Sequence, residues 1–256
     1  MPLSALFALF DAVTLVVSIL TAFRLCKTGL ARRYPVLTAY LIFLVPYLAG
    51  PLMLNIRSHA YFHFWEVTQP LHWLLEILLV GELCGTVLAR YRGIRTLGRW
   101  MMYGSMLSSV AISILSLLPR IQSPMSSRSR TLLLITAGGR GVNLALAIFL
   151  LLMLILVSRC PVRLNRNVML NTVVFSVFFL SNTLGATLHQ LFDLRLGWAL
   201  DTCLGGIACM CAVAWLLFLT PAGEEARCDW LHFNPDYEQR MLGQLDSLNR
   251  ALLGAV

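Results

Sequence analysis

Between Tyr61 and Arg90 the chain reads YFHFWEVTQPLHWLLEILLVGELCGTVLAR, an apolar stretch carrying Glu66, Gln69, His72, Glu76 and Glu82. It is long enough to cross a hydrocarbon core of about 30 Å, yet it holds more ionisable groups than a passive anchor tolerates. A charge near the bilayer centre costs at least about 2.5 kcal/mol, so such residues face the protein interior or a wet cavity. At roughly 100° per residue, Trp65, Glu66, Gln69, His72, Trp73 and Glu76 share one helical face, while Glu82 points elsewhere. Carboxylates and an imidazole on one buried face suit three tasks: binding a cation, moving protons or holding a metal.

Other apolar runs carry matching groups: Asp11, Arg140 with Asn143, His189 with Asp193, and Asp201. Arg140 is the only arginine well inside an apolar run, so it needs a carboxylate partner, and Glu76 is the closest in depth. A buried Arg–Glu pair can simply fix helix register, but several acids exceed one arginine's need. The expected ligand-binding set is therefore Asp11, Glu66, Gln69, His72, Trp73, Glu76, Arg140, Asn143, His189 and Asp201, walling a polar cavity in the outer half of a bundle. No catalytic residue and no cofactor is assigned.

Metal binding is the sharper alternative. His72 and Glu76, His59 and His63, and His189 and Asp193 are spaced i,i+4, which puts each pair on one helix face. Zinc takes about four N, O or S ligands. However, His59 and His63 sit at an interface, where solvated histidines are common. The seven-span zinc hydrolases place an H-x-x-x-H pair in their last span, and the last run here has no histidine. A retinal Schiff base is excluded, because the only lysine, Lys27, lies in a link.

The elements that must position these groups are membrane spans. Of 256 residues, 58% are hydrophobic and 12% charged, and the mean hydropathy is +0.76. These values fit a polytopic membrane protein rather than a soluble domain. The formal charge of +8 gathers in short links, as topology signals do, and no aromatic-interleaved basic surface offers itself to nucleic acid. Seven runs follow in order: Leu3–Phe23, Pro35–Asn55, Tyr61–Arg90, Trp100–Leu118, Thr131–Val157, Val168–Phe192 and Leu196–Leu219. Arginines after the first, third and fifth runs predict an external N-terminus and a cytoplasmic C-terminus. Arg120, Arg128 and Arg130 in the link placed outside run against that rule. Pro46 and Pro51 predict a bent second helix. The Gly138-Gly139-Arg140-Gly141 run reads as close helix packing rather than a phosphate loop. The seven cysteines give no disulfide framework, and Cys209-Ala-Cys211 reads as small apolar packing.

The predicted architecture is an all-α bundle of seven transmembrane helices over residues 1–222, with a cytoplasmic tail over 223–256. In the tail, Asn234-Pro235-Asp236 starts a helix, and Met241, Leu245, Leu248 and Leu252 form an apolar seam. Over 234–253 it is expected to dock on the membrane face, on a cytoplasmic partner or on a second copy. Trp65 and Trp198, like Arg33 and Arg166, lie 133 residues apart, as a repeat of three spans would require. Two pairs are too few to outweigh coincidence.

The chain resembles a group of seven-span bacterial membrane proteins of unknown function found in acidobacterial genomes. The resemblance rests on Arg33-Tyr34-Pro35 opening the second span, on the Glu-bearing third span ending in arginines, and on the tail. That tail has Pro221-Ala222-Gly223-Glu224, Asn234-Pro235 and Leu248-Asn249-Arg250-Ala251-Leu252-Leu253. It implies residence in the plasma (inner) membrane and no particular activity. The leading expectation is a membrane protein that binds a small molecule in its cavity and signals through a partner. A proton-coupled transporter using Glu66, Glu76 or Asp201 is the alternative, and a metal-dependent membrane enzyme ranks third.

Overall fold

The computed structural model describes residues 3–54, 58–88, 127–159, 165–191 and 194–225, together with isolated positions at 100, 103–105, 107, 243 and 247. The elements it describes are helices: α1 (Leu3–Lys27), α2 (Pro35–Met53), α3 (His59–Leu88), α4 (Ser127–Arg159), α5 (Arg166–Leu191), α6 (Leu194–Phe218) and the single turn α7 (Ala222–Glu225). A 3-10 turn, Leu30–Arg32, follows α1. Helices α1 to α6 are each long and apolar enough to cross a membrane, and the protein is a multi-pass helical membrane protein. They match the first, second, third, fifth, sixth and seventh apolar runs. The fourth run, Trp100–Leu118, and the predicted tail helix fall almost wholly outside the described residues.

Local chemistry accounts for the breaks. Gly29 adopts φ 74°, the left-handed conformation that ends α1 without a Cβ penalty. Pro35 then occupies the first position of α2, where its missing N–H costs nothing. Pro46 and Pro51 lie inside α2 and Pro70 inside α3, and both helices continue through them. Threonines within the apolar helices return their hydroxyls to the carbonyl four residues back, as Thr14 does to Phe10 and Thr21 to Val17, both at 2.7 Å. The protons of these threonine hydroxyls are then matched within the helix rather than left to lipid.

The six helices form a closed ring in chain order, each packed on the next and α6 packed back along α1, with α3 also reaching across to α5. Contacts fix their directions. Arg24 near the end of α1 donates to the Leu216 carbonyl near the end of α6. Glu82 near the end of α3 accepts from Val36 and Leu37 at the start of α2. Asn167 at the start of α5 donates to the Thr220 carbonyl just past α6. Only six residues, 160–165, separate α4 from α5; they span at most about 25 Å, less than a bilayer core. Helices α1, α3, α4 and α6 therefore point toward one end, here called the arginine end, and α2 and α5 point away. Neighbours α3 and α4 run parallel. The triplets α1–α2–α3 and α4–α5–α6 thus hold equivalent places and directions in the ring.

The fully buried core lies in the half nearer the arginine end. Leu41, Val80, Leu150 and Phe179 meet there, with Phe149, Leu83, Met153 and Trp215 around them. Large apolar side chains such as Phe23, Ile42, Val67, Ile155 and Leu217 cover the outside, as a lipid-facing surface requires.

Candidate functional site: a polar cavity inside the ring

Beyond that core, toward the opposite end, the ring encloses a cavity of about 440 Å³. Side chains from all six long helices line it. Helix α3 supplies Trp65, Gln69, His72, Trp73 and Glu76, whose spacing of three and four residues keeps them on one stripe. Helix α4 supplies Thr136, Gly139, Arg140 and Asn143, and α6 supplies Asp201, Leu204, Gly205 and Ala208 down to Cys211 and Trp215. Tyr40 and Tyr47 enter from α2, Thr14 from α1, and Phe178 and Asn182 from α5.

His72 is the centre of the polar wall. Its Nδ1 lies 3.6 Å from Glu76 Oε1, beyond ordinary hydrogen-bond length. Its Nε2 lies 3.5 Å from the Tyr40 hydroxyl. The Tyr47 ring stacks on the imidazole, with centroids 4.6 Å apart and planes 10° from parallel. Tyr47 is held in turn, because its hydroxyl accepts from Gln69 Nε2 at 2.7 Å. Glu76 is only 2% exposed, and its Oε2 has no hydrogen-bond partner in the protein. Asn143 spends its Nδ2 on the Gly139 carbonyl at 3.0 Å, while its Oδ1 is buried and unmatched, like the indole N–H of Trp215. Burying polar atoms this way costs free energy that only a partner recovers.

Gly138 and Gly139 give the wall its shape. A Cβ on Gly138 would lie 3.0 Å from the Trp73 indole, and one on Gly139 would lie 3.1 Å from it. The glycine pair is the bed on which Trp73 rests, a helix contact and not an anion loop.

Of the ten residues expected to bind a ligand, Gln69, His72, Trp73, Glu76, Arg140, Asn143 and Asp201 line this cavity. Asp11 on α1 does not. Glu66 is also off the wall, lying 3.4 Å from His63 Nδ1 with its side chain 38% exposed. The wheel explains it: Glu66 stands roughly 75° from the centre of the α3 stripe, at its rim. His189 falls within α5, but its side chain lies outside the described residues. The expected Glu76–Arg140 pair is corrected, since the Glu76 carboxylate meets His72, one turn back on its own helix. The cavity extends toward the arginine end as far as Tyr40, Cys211 and Trp215. Tyr40, Tyr47 and Trp215 were missed as site residues. The one signal for the tyrosines was their spacing of two helical turns in an otherwise greasy run.

Glu82 has a separate task. Its two oxygens accept from the backbone N–H groups of Val36 at 3.1 Å and Leu37 at 3.2 Å, capping α2 where Tyr34 offers no side-chain cap. A second polar cluster closes the arginine end around Glu224. Its carboxylate accepts from the Tyr34 hydroxyl, from Asn167 Nδ2 at 3.0 Å and from Asn165 Nδ2 at 3.3 Å, with exposed Arg33 at 3.7 Å. Burial, then the Glu224 carboxylate, push the Tyr34 phenol far above its ordinary pKa. Among the described residues, no three His, Cys, Asp or Glu side chains converge on a metal position.

Comparison with known proteins finds no family model, no curated protein and no solved structure that matches this chain.

Proposed function

We propose that this is a seven-span membrane protein that binds a small molecule in the ring cavity and reports its presence to a partner through the segment after Glu225. One observation carries the binding reading: a cavity of about 440 Å³, within the range of small-molecule sites, is lined by Glu76, a deeply buried carboxylate with one oxygen that the protein leaves unmatched. A passive scaffold would fill such a space with apolar side chains. Parity supports seven spans. Parallel neighbours α3 and α4 need an odd number of crossings between them, and the intervening chain holds one apolar run, Trp100–Leu118. The arginine end then faces the cytoplasm, and the packed core between it and the cavity favours a site closed on that side, as a sensor requires.

Native mass spectrometry of the purified full-length protein tests binding. A retained small molecule, lost when the wall residue Ala208 is enlarged (Ala208→Phe), supports it. A bare protein that no compound of a broad metabolite library stabilises against heat refutes it. Proton-coupled transport is the second reading, favoured by the equivalent placement of the two helix triplets around the cavity. Cys211 in the cavity wall separates the two. With the other six cysteines changed to serine, a membrane-impermeant thiol reagent reaches Cys211 from both faces in a transporter and from one face at most in a sensor.

A further inference from the structure

We infer that the cavity takes an N–H-bearing organic cation, a protonated amine carried on an apolar or aromatic frame. This rests on the cavity being a small-molecule site and names the chemistry of what enters it. Charge gives the first reason. Among the described residues, the Glu76 carboxylate has no lysine or arginine partner, and His72 meets it only at 3.6 Å. A positive charge on the ligand supplies the counter-charge in a place where a lone carboxylate is costly.

Hydrogen bonding gives the second reason. Two unmatched buried atoms of this wall, Glu76 Oε2 and Asn143 Oδ1, are acceptors. An anionic ligand would leave both unsatisfied and would add repulsion. A quaternary ammonium would answer the charge but bring no N–H for either oxygen. The one unmatched donor, Trp215 Nε1, suits an acceptor elsewhere on the same molecule. Shape gives the third. Tyr40, Tyr47, Trp65, Trp73, Phe178 and Trp215 all contribute to the wall, and aromatic faces attract cations while covering an apolar frame.

The test uses the full-length protein in phospholipid nanodiscs and a matched set of probes. Primary amines, trimethylammoniums, alcohols and carboxylates are compared on the same phenylethyl, indolylethyl and cyclohexylethyl frames, reading saturable thermal stabilisation. The amines are expected to bind at least roughly tenfold tighter than the isosteric alcohols, with the carboxylates weakest, and Glu76→Gln is expected to erase that preference while alcohols still bind. Alcohols or carboxylates binding as tightly as amines overturn the inference and leave the cavity as a binding site. So does a preference that survives Glu76→Gln, and trimethylammoniums equal to the amines overturn its N–H part. Saturable binding by none of the classes also overturns the inference, and the native mass spectrometry and broad library then decide the binding reading. Should Glu76→Gln fail to fold, the isostere comparison on the unaltered protein decides alone.

Discussion

Glu82 offers the most direct measurement of how this bundle is held together. It sits on α3 yet caps α2, accepting from Val36 at 3.1 Å and Leu37 at 3.2 Å. These N–H groups belong to the first turn of α2, which has no partner of its own for them. A hydrogen bond to a charged acceptor contributes about 1.5–3 kcal/mol net, and a carboxylate at a helix N-terminus adds about 0.3–1 kcal/mol. Because the site is half-buried, the lower ends apply. Glu82→Gln keeps one acceptor, turns an amide NH₂ toward the other N–H and removes the charge, so it should cost about 1–2 kcal/mol. Glu82→Ala strands both N–H groups and should cost about 2–4 kcal/mol. Glu66→Gln is the control, since that exposed pair with His63 should be worth less than about 1 kcal/mol. Thermal unfolding of the purified variants in one detergent, followed by tryptophan fluorescence, gives the ranking. The expected order of stability is wild type and Glu66→Gln together, then Glu82→Gln, then Glu82→Ala. If Glu82→Gln melts with the wild type, the carboxylate is not holding α2 and the capping account is wrong.

Three further outcomes follow from packing at named positions. In Gly50→Ala the new Cβ would run into the Phe64 ring. The crowding, about 1–3 kcal/mol, outweighs the helical gain of about 1 kcal/mol, and Phe64→Leu should restore stability in the double variant. Gly139→Ala pushes the Trp73 indole off its bed by a few tenths of an ångström, so it should weaken binding of any cavity ligand several-fold with little change in melting temperature. Glu224→Ala removes the acceptor shared by Tyr34, Asn165 and Asn167 and should cost about 2–3 kcal/mol. Arg33→Ala, at an exposed partner of the same carboxylate, should cost less than about 1 kcal/mol. Equal losses in those two would refute the ranking of contacts around Glu224.

The helices and the α3 wall could be read from the chain because both depend on local periodicity. An apolar run of membrane length has few other fates, and residues three and four apart share a face whatever surrounds them. Partners across helices could not be read. Depth along a span suggested Arg140 for Glu76, but depth says nothing about azimuth, and the carboxylate instead meets His72 on its own stripe. Glu66 belongs to the same wheel and still misses the cavity, because it stands at the rim where His63 offers a nearer neighbour. The capping by Glu82 and the gathering at Glu224 bridge residues 46 and 190 positions apart. Such contacts leave no periodic trace. Tyr40 and Tyr47 looked like ordinary aromatic filling until their hydroxyls were placed beside His72 and Gln69.

The seam between the first and last long helices has a consequence for how the protein is made. Helix α1 leaves the ribosome well before α6, its most extensive neighbour, has been synthesised. Until then the face bearing Thr14, Ser18, Thr21 and Arg24, which is sheltered in the finished ring, is presented to lipid or to an insertion factor. Ring closure therefore waits for the last long helix: the helices stay an open arc through most of translation, and a nascent chain stalled before Phe218 keeps an unsealed edge along α1.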